Sequence, residues 1–281
     1  MFRLDRFLTL HFFSALMKHR PFQRSEKIPV LMYHAIGCPQ KADRHPYYET
    51  ATSPTMFAAH MEFLKNMGYR AVGLVELLGV LFEAKRLLDK IVMITFDDGL
   101  ADFKSAALPI LKRHGFRATV FLPAELVGGT LKGQRCLTWA DVRESAASGT
   151  EFGSHSLTHF QLTLLDAGGL ERELRVSKET IEEKIGKKVE GFSFPYAFPE
   201  YDKKFIDRLE KLLEACGYRA GVTTIVGRAS AADGRFRLKR IPVNTHDDIQ
   251  FFRAKLEGAY DWLAWPQRFK KRLIGLSKSG T

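Results

Sequence analysis

Three short runs carry side chains whose types and spacing could do chemistry. Thr95-Phe96-Asp97-Asp98-Gly99 sets two carboxylates side by side at the end of an apolar stretch. Two like charges at low dielectric raise each other's pKa unless a cation is shared, which points to a proton-transfer or metal centre; an exposed Asp-Gly turn is the plain alternative. Ser154-His155-Ser156-Leu157-Thr158-His159 spaces two imidazoles four residues apart, so that on one helical turn both could offer a neutral nitrogen to a zinc-like ion. With nine histidines in 281 residues, that spacing alone is weak. Ser193-Phe194-Pro195-Tyr196-Ala197-Phe198-Pro199 is a proline-stiffened run. It would present a backbone N–H toward developing negative charge while Tyr196 and Phe198 stack on a sugar, or else form a turn packed on the core.

Positioning these runs falls to an alternation of short β-rich segments with longer helical ones. Strands are expected at 28–33, 69–72, 91–96, 118–122, 151–153, 189–194, 218–223 and 238–243. A helix opened by Pro54 buries Phe57, Met61 and Leu64 and ends at Gly68; others cover 75–84, 103–114, 170–185 and 204–215. Thr138, with Asp141 three residues on, resembles a capping box and starts a further helix that stops before Gly149. About eight strands, each mostly followed by a helix, call for an α/β fold with a parallel sheet, and eight units in ~220 residues favour a (β/α) barrel over an open sheet. Loops at the C-terminal strand ends then hold the function. Asp98, His155 and His159 would converge there as one carboxylate and two imidazoles with positions left open for water, the ligand set of a hydrolytic metal site.

Composition narrows the field. The chain is 45% apolar and long enough for a sizeable core. Cys38, Cys136 and Cys216 are too few and too scattered for a disulfide framework, no CxxC is present, and the odd count leans toward a reducing compartment. The longest apolar run, Phe7 to Met17, contains His11 and falls well short of the roughly 20 residues of a spanning helix. Arg3 and Arg6 ahead of it imitate a signal peptide, but Lys18-His19-Arg20-Pro21 follows without a small-x-small cleavage site, and a short helix lying on a surface suits the segment better. Net charge is +11, most of it in residues 1–24 and 266–281. A near-neutral body argues against nucleic acid as a partner. Basic, partly apolar ends suit either solvent or an anionic bilayer surface.

In order, the three runs resemble the successive motifs of the polysaccharide deacetylases, carbohydrate esterase family four. Val30-Leu31-Met32-Tyr33-His34, Ser53-Pro54 with Phe57, Met67-Gly68-Tyr69, Leu137-Thr138-Trp139 and Arg240-Ile241-Pro242-Val243 are similar to members that act on bacterial exopolysaccharides. The resemblance covers about residues 28–245 as a catalytic domain, with 1–27 as a basic and apolar extension and 246–281 as a C-terminal helix and basic tail. It implies a distorted (β/α) barrel of about seven to eight parallel strands and one divalent metal ion, usually Zn2+. Asp98, His155 and His159 become the metal ligands and Asp97 the general base. The oxyanion rests on the metal and the N–H of Tyr196, and Trp139, Pro195 and Phe198 line the substrate groove. His34 is expected as the acid, because the late His246 fits the family's late histidine motif poorly. One departure is plain: where the family has Arg-x-Pro-Tyr this chain has Ser193-Phe194-Pro195-Tyr196, which removes the arginine that orients the catalytic aspartate.

The implied activity is removal of N-acetyl groups from amino sugars of an exopolysaccharide or a lipid-linked glycan. Two alternatives remain beside it: deacylation, for example deformylation, of a polyprenyl-linked amino sugar, and a catalytically degenerate carbohydrate-binding protein. A cytoplasmic location with peripheral contact at the inner membrane is expected, and a periplasmic one stays open. Sequence leaves the oligomeric state open.

Overall fold

The computed structural model describes residues 3–18, 27–38, 45–83 and 90–269. Its strands are β1 (Val30–Tyr33), β2 (Tyr69–Ala71), β3 (Lys90–Phe96), β4 (Thr119–Leu122), a small hairpin of β5 (Thr130–Leu131) and β6 (Gln134–Arg135), then β7 (Glu151–Ser154), β8 (Gly191–Ser193), β9 (Ala220–Val226) and β10 (Leu238–Pro242). The order β1-β10-β9-β8-β7-β4-β3, closed by pairing of β1 with β3, makes a seven-stranded parallel barrel, with β2 as one extra strand. β3 serves both neighbours in turn: Lys90, Ile91 and Val92 pair with β2, while Met93 to Phe96 pair with β1.

Helices with one apolar stripe cover the barrel, as the alternation requires. Pro54–Asn66, Leu108–His114, Trp139–Ala147, Ala167–Ile185 and Lys203–Ala215 each contribute to one large core against its outer wall. The expected cap at Thr138 is a complete capping box with Asp141. Sequence periodicity overlooked the β5–β6 hairpin, since two-residue strands carry no readable alternation.

Strand parity decides which side chains look inward, because successive residues of a strand face opposite sides. On β3, Val92, Ile94 and Phe96 join the outer core, so Ile91, Met93 and Thr95 point in and Asp97 follows them. By the same count β1 sends Val30 and Met32 inward with His34 next, β7 sends Gly153 and then His155, β8 sends Ser193, and β10 sends Arg240. The expected motif residues therefore share the barrel's interior axis.

Phe121 of β4 fills the centre of that interior. Glycines on β7 and β8 make room for it: a Cβ at Gly153 would lie 2.5 Å from the Phe121 ring, and one at Gly191 would lie 3.3 Å from it and 2.7 Å from Leu74. Overpacking of this kind costs about 1–3 kcal/mol. Gly153→Ala should accordingly lower stability by roughly that amount in denaturant titration; an unchanged midpoint would show that Phe121 has another place to go.

Candidate active site

At the C-terminal end of the barrel the three runs meet. Asp98 follows β3 directly, and His155 and His159 lie in the loop after β7. One ligand atom from each can be chosen so that all lie within 4.8 Å of one another. The Asp98 carboxylate is 3.4 Å from His155 Nε2 and 3.2 Å from His159 Nε2. A tetrahedral ion with bonds of about 2.0–2.2 Å holds its ligands roughly 3.3 Å apart, so the spacing fits. Burial would raise the pKa of Asp98, yet hydrogen bonding from the two imidazoles holds it well below the usual carboxylate range. Burial also opposes charge on His155, but the facing carboxylates of Asp97 and Asp98 outweigh it and keep its pKa above that of free imidazole. The local field favours a cation.

Neighbours arrange the donors. His155 Nδ1 lies 2.7 Å from the Ser193 carbonyl and donates there, which turns Nε2 toward Asp98 as the nitrogen that a bound cation would take in place of a proton. His159 Nδ1 is buried and meets no partner among the described residues; its ring is held by Nε2 at Asp98 and by packing near Tyr196. The loop between the histidines is clamped from below by Glu173 of the Ala167–Ile185 helix. Its buried carboxylate accepts from the N–H groups of Leu157 (2.8 Å) and Thr158 (3.0 Å) and from Thr158 Oγ1 (2.7 Å). Asp98, Ser156, His159 and Tyr196 all take left-handed backbone conformations, with φ between +59° and +70°. Non-glycine residues there cost of order 1 kcal/mol or more each, so the surrounding contacts over-determine them.

Asp97 sits one layer deeper and is held by a residue that motif spacing did not reveal. Arg240 of β10, fully buried, donates to both oxygens of Asp97, Nη1 to Oδ1 at 2.8 Å and Nη2 to Oδ2 at 2.7 Å. The same guanidinium donates to the Thr223 carbonyl, Thr95 Oγ1 and Ser193 Oγ, and the serine in turn donates to Asp97 Oδ1. An arginine thus meets Asp97 from β10, where the sequence has serine in place of the expected arginine on β8, and that small inward Ser193 hydroxyl accepts from the same guanidinium. Burial alone would raise Asp97, but Arg240 and then His155 bring its pKa down to about 2. The signal was present in sequence as Arg240-Ile241-Pro242-Val243; its inward parity and its reach across the barrel were not.

The remaining expected residues divide. Inward-facing His34 is a neighbour of both carboxylates; burial pulls its pKa down and Asp98 and Asp97 resist that pull. Tyr196 is exposed beside His159, 4.7 Å between ring centroids, and its N–H meets no acceptor among the described residues. Lys132, at the β5–β6 tip, lies 5.1 Å over the Tyr196 ring. Trp139 is half-buried and packs on the main core. Two substrate-lining expectations need correction. Phe198 is buried, packed edge-on against Phe194, and Pro195 is buried as well, so neither offers a face to a sugar. The proline-rich turn after β8 serves the core here, carrying Phe198 into the cluster with Phe194 and Phe205.

A seven-stranded barrel with this set at its C-terminal end defines a class of metal-site hydrolase fold, and the comparisons name the family. The polysaccharide deacetylase family profile matches residues 84–221. A protein of Bacillus subtilis (strain 168) assigned as a polysaccharide deacetylase, YxkH, is 30% identical over 84% of this chain and 78% of its own. Among solved structures, the Streptococcus pyogenes deacetylase PplD in complex with acetate has a TM-score of 0.72 at 26% identity, covering 82% of this chain and 98% of its own. IcaB from Ammonifex degensii shares the fold at TM-score 0.67 and 22% identity, over 87% and 98% of the two chains. The chain belongs to the polysaccharide deacetylase family and is a hydrolase of the deacetylase kind.

Two outcomes follow for the supporting residues. Arg240→Lys keeps a cation but loses the two-pronged grip. The pKa of Asp97, which Arg240 depresses, should then rise, so the carboxylate is lost at a higher pH as pH falls; the acid limb of the rate profile should move up, with lower turnover at neutral pH. An unmoved limb would show that Arg240 does not tune Asp97. Glu173→Ala should weaken metal retention about 10–100-fold in chelator competition, and Glu173→Gln, which keeps an acceptor oxygen, should recover part of it.

Proposed function

We propose that this protein is a metal-dependent amidohydrolase that removes N-acetyl groups from amino sugars of a bacterial exopolysaccharide or a lipid-linked glycan, with residues 28–245 as its catalytic unit. The observation that carries the reading is the Asp97 carboxylate, locked by Arg240 directly beside the Asp98, His155 and His159 cluster. A divalent cation held by those three side chains, zinc by its donor set of nitrogen and carboxylate oxygen, would polarise the amide carbonyl and acidify a water. Asp97, ionised through the ordinary pH range, accepts the proton of that water as it attacks. The N–H of Tyr196 donates to the developing oxyanion. His34, facing the same space from β1, passes to the departing amine the proton that Asp97 took from the water. Burial lowers its pKa, so it takes up that proton during the reaction rather than carrying it at rest, and the two carboxylates nearby stabilise it while protonated.

The related PplD structure, titled as a complex with acetate, accords with an acetyl group as the leaving acid. Formyl or another short acyl group on a polyprenyl-linked amino sugar would use the same steps. The basic ends of the chain would suit such a substrate, whose pyrophosphate lies at a bilayer surface. A binding-only protein loses its main support, since Arg240 replaces the arginine absent at Ser193.

Purified protein should contain one metal per chain and release acetate from short N-acetylglucosamine oligomers. Asp97→Asn should abolish release, by about 10²-fold or more, without loss of metal. His34→Ala should cut turnover to a similar degree and also keep the metal. Bound metal with no acetate from any oligomer would redirect the reading to another acyl group, and absence of metal binding would overturn it.

A further inference from the structure

The helix near the N-terminus has its polarity reversed. It runs through Leu4–Leu8, a π-helical turn at Thr9–Phe13, and Ser14–Lys18. An ordinary surface helix buries its apolar stripe and solvates its polar one. Here Asp5 and Thr9 are the buried residues. Asp5 accepts from the Arg3 guanidinium at 2.6 Å and from the Tyr260 hydroxyl at 2.9 Å, and Thr9 Oγ1 accepts from Trp262 Nε1 at 3.1 Å. Phe13 stacks on Trp262 at 5.0 Å, and Arg6 pairs with Asp248. Leu4, Phe12 and Leu16 are left exposed, Phe12 by 65%.

The segment it docks on continues the pattern. Residues 264–269 are helical, one turn beyond Trp262, and carry Trp265 and Phe269, exposed by 83% and 65%. The Phe13–Trp262 stack brings the two segments together, so their large apolar side chains belong to one region of the surface. Charge on the two segments themselves is almost wholly basic. The only acid in residues 3–18 is Asp5, buried and ion-paired, and 264–269 contain none; the acids that approach from elsewhere, Asp248 and Glu200, pair with Arg6 and Arg268. In sequence the chain goes on from Phe269 into Lys270-Lys271-Arg272, and from Lys18 to Arg20 and Arg24.

We infer that this face docks on a bilayer surface containing anionic lipid, with Leu4, Phe12, Leu16, Trp265 and Phe269 entering the interfacial region and the flanking cations meeting lipid headgroups. Aromatic and leucine side chains bordered by Lys and Arg are what such an interface selects. No helix among the described residues is long and apolar enough to cross a membrane, so the contact is peripheral. A second copy of this chain fits less well, because a two-fold contact would bring the same cations together, and the acids at hand, Asp248 and Glu200, already pair with Arg6 and Arg268 of their own chain. This face stands apart from the deacetylase chemistry; only its use rests on that reading, which is to hold the barrel beside a glycan anchored at a membrane.

The test is sedimentation of the full chain with vesicles of phosphatidylcholine alone or with added phosphatidylglycerol. The wild type should pellet with the anionic vesicles and be partly released by salt. The triple variant Phe12→Ser, Leu16→Ser, Trp265→Ser should partition roughly tenfold more weakly or less still. Its side chains are exposed, so its melting temperature and its acetate release from soluble oligomers should match the wild type. A wild type that stays in the supernatant, or a variant that pellets equally, would overturn the inference. So would a wild-type dimer in sedimentation velocity that the variant dissolves. Absence of acetate release from both proteins would count against the deacetylase reading alone.

Discussion

A carboxylate and a guanidinium, both sealed from solvent, face each other across the middle of the barrel. Taking either charge out of water costs several kcal/mol, and the pair is tolerable only because every donor finds an oxygen. Arg240 reaches Asp97, Ser193, Thr95 and the Thr223 carbonyl at once, so β3 with the residue after it, β8 and β9 all supply acceptors to one side chain of β10. Removing one partner of such a pair typically destabilises by about 3–5 kcal/mol. The rest of the site inherits its geometry from this anchor: Asp97 is fixed inside the barrel, and Asp98, the next residue, turns through φ +70° to face the two histidines.

Much of this was legible in sequence, and for identifiable reasons. Apolar runs such as Ile91 to Phe96 are too continuous to be anything but a strand buried on both faces, and the Gly or Pro residues at helix ends mark where each unit stops. Adjacent acids and i, i+4 histidines are local patterns, so Asp97, Asp98, His155 and His159 could be picked out before any fold was known. What sequence hid is non-local. The link between Arg240 and Asp97 spans 143 positions and depends on two parities and a closed ring. Glu173 looks like any helix acid among many in Ala167–Ile185, and only the return of the β7 loop over it turns it into a clamp. Phe198 misled for the converse reason: an aromatic between prolines reads as a sugar platform, while the left-handed turn at Tyr196 brings it back onto Phe194 in the core.

The terminal segments follow a different logic from the barrel. Their docking is largely polar, through Asp5, Arg3, Tyr260 and the buried Asp247 and Lys255 pair, beside the Phe13–Trp262 stack, where the barrel's layers are apolar. A joint of that kind leaves Leu4, Phe12 and Leu16 pointing away from the body. Sequence suggested a short helix lying on a surface but could not reveal which side chains meet the body: Leu10 and Phe13 do, Phe12 and Leu16 do not.

β10 lies between β1 and β9, and among the described strands it is the last to emerge from a ribosome. Every metal-ligand candidate is synthesised before it, as is Asp97. A nascent chain that has folded as far as β9 would hold an open sheet in which Asp97 lacks its guanidinium. Because β10 also carries a register shift between Leu238 and Arg240, a slip of one residue would swing the arginine to the outside of the ring. The buried ion pair therefore arrives only with ring closure, and a misregistered product would leave the Asp97 carboxylate buried without its cation.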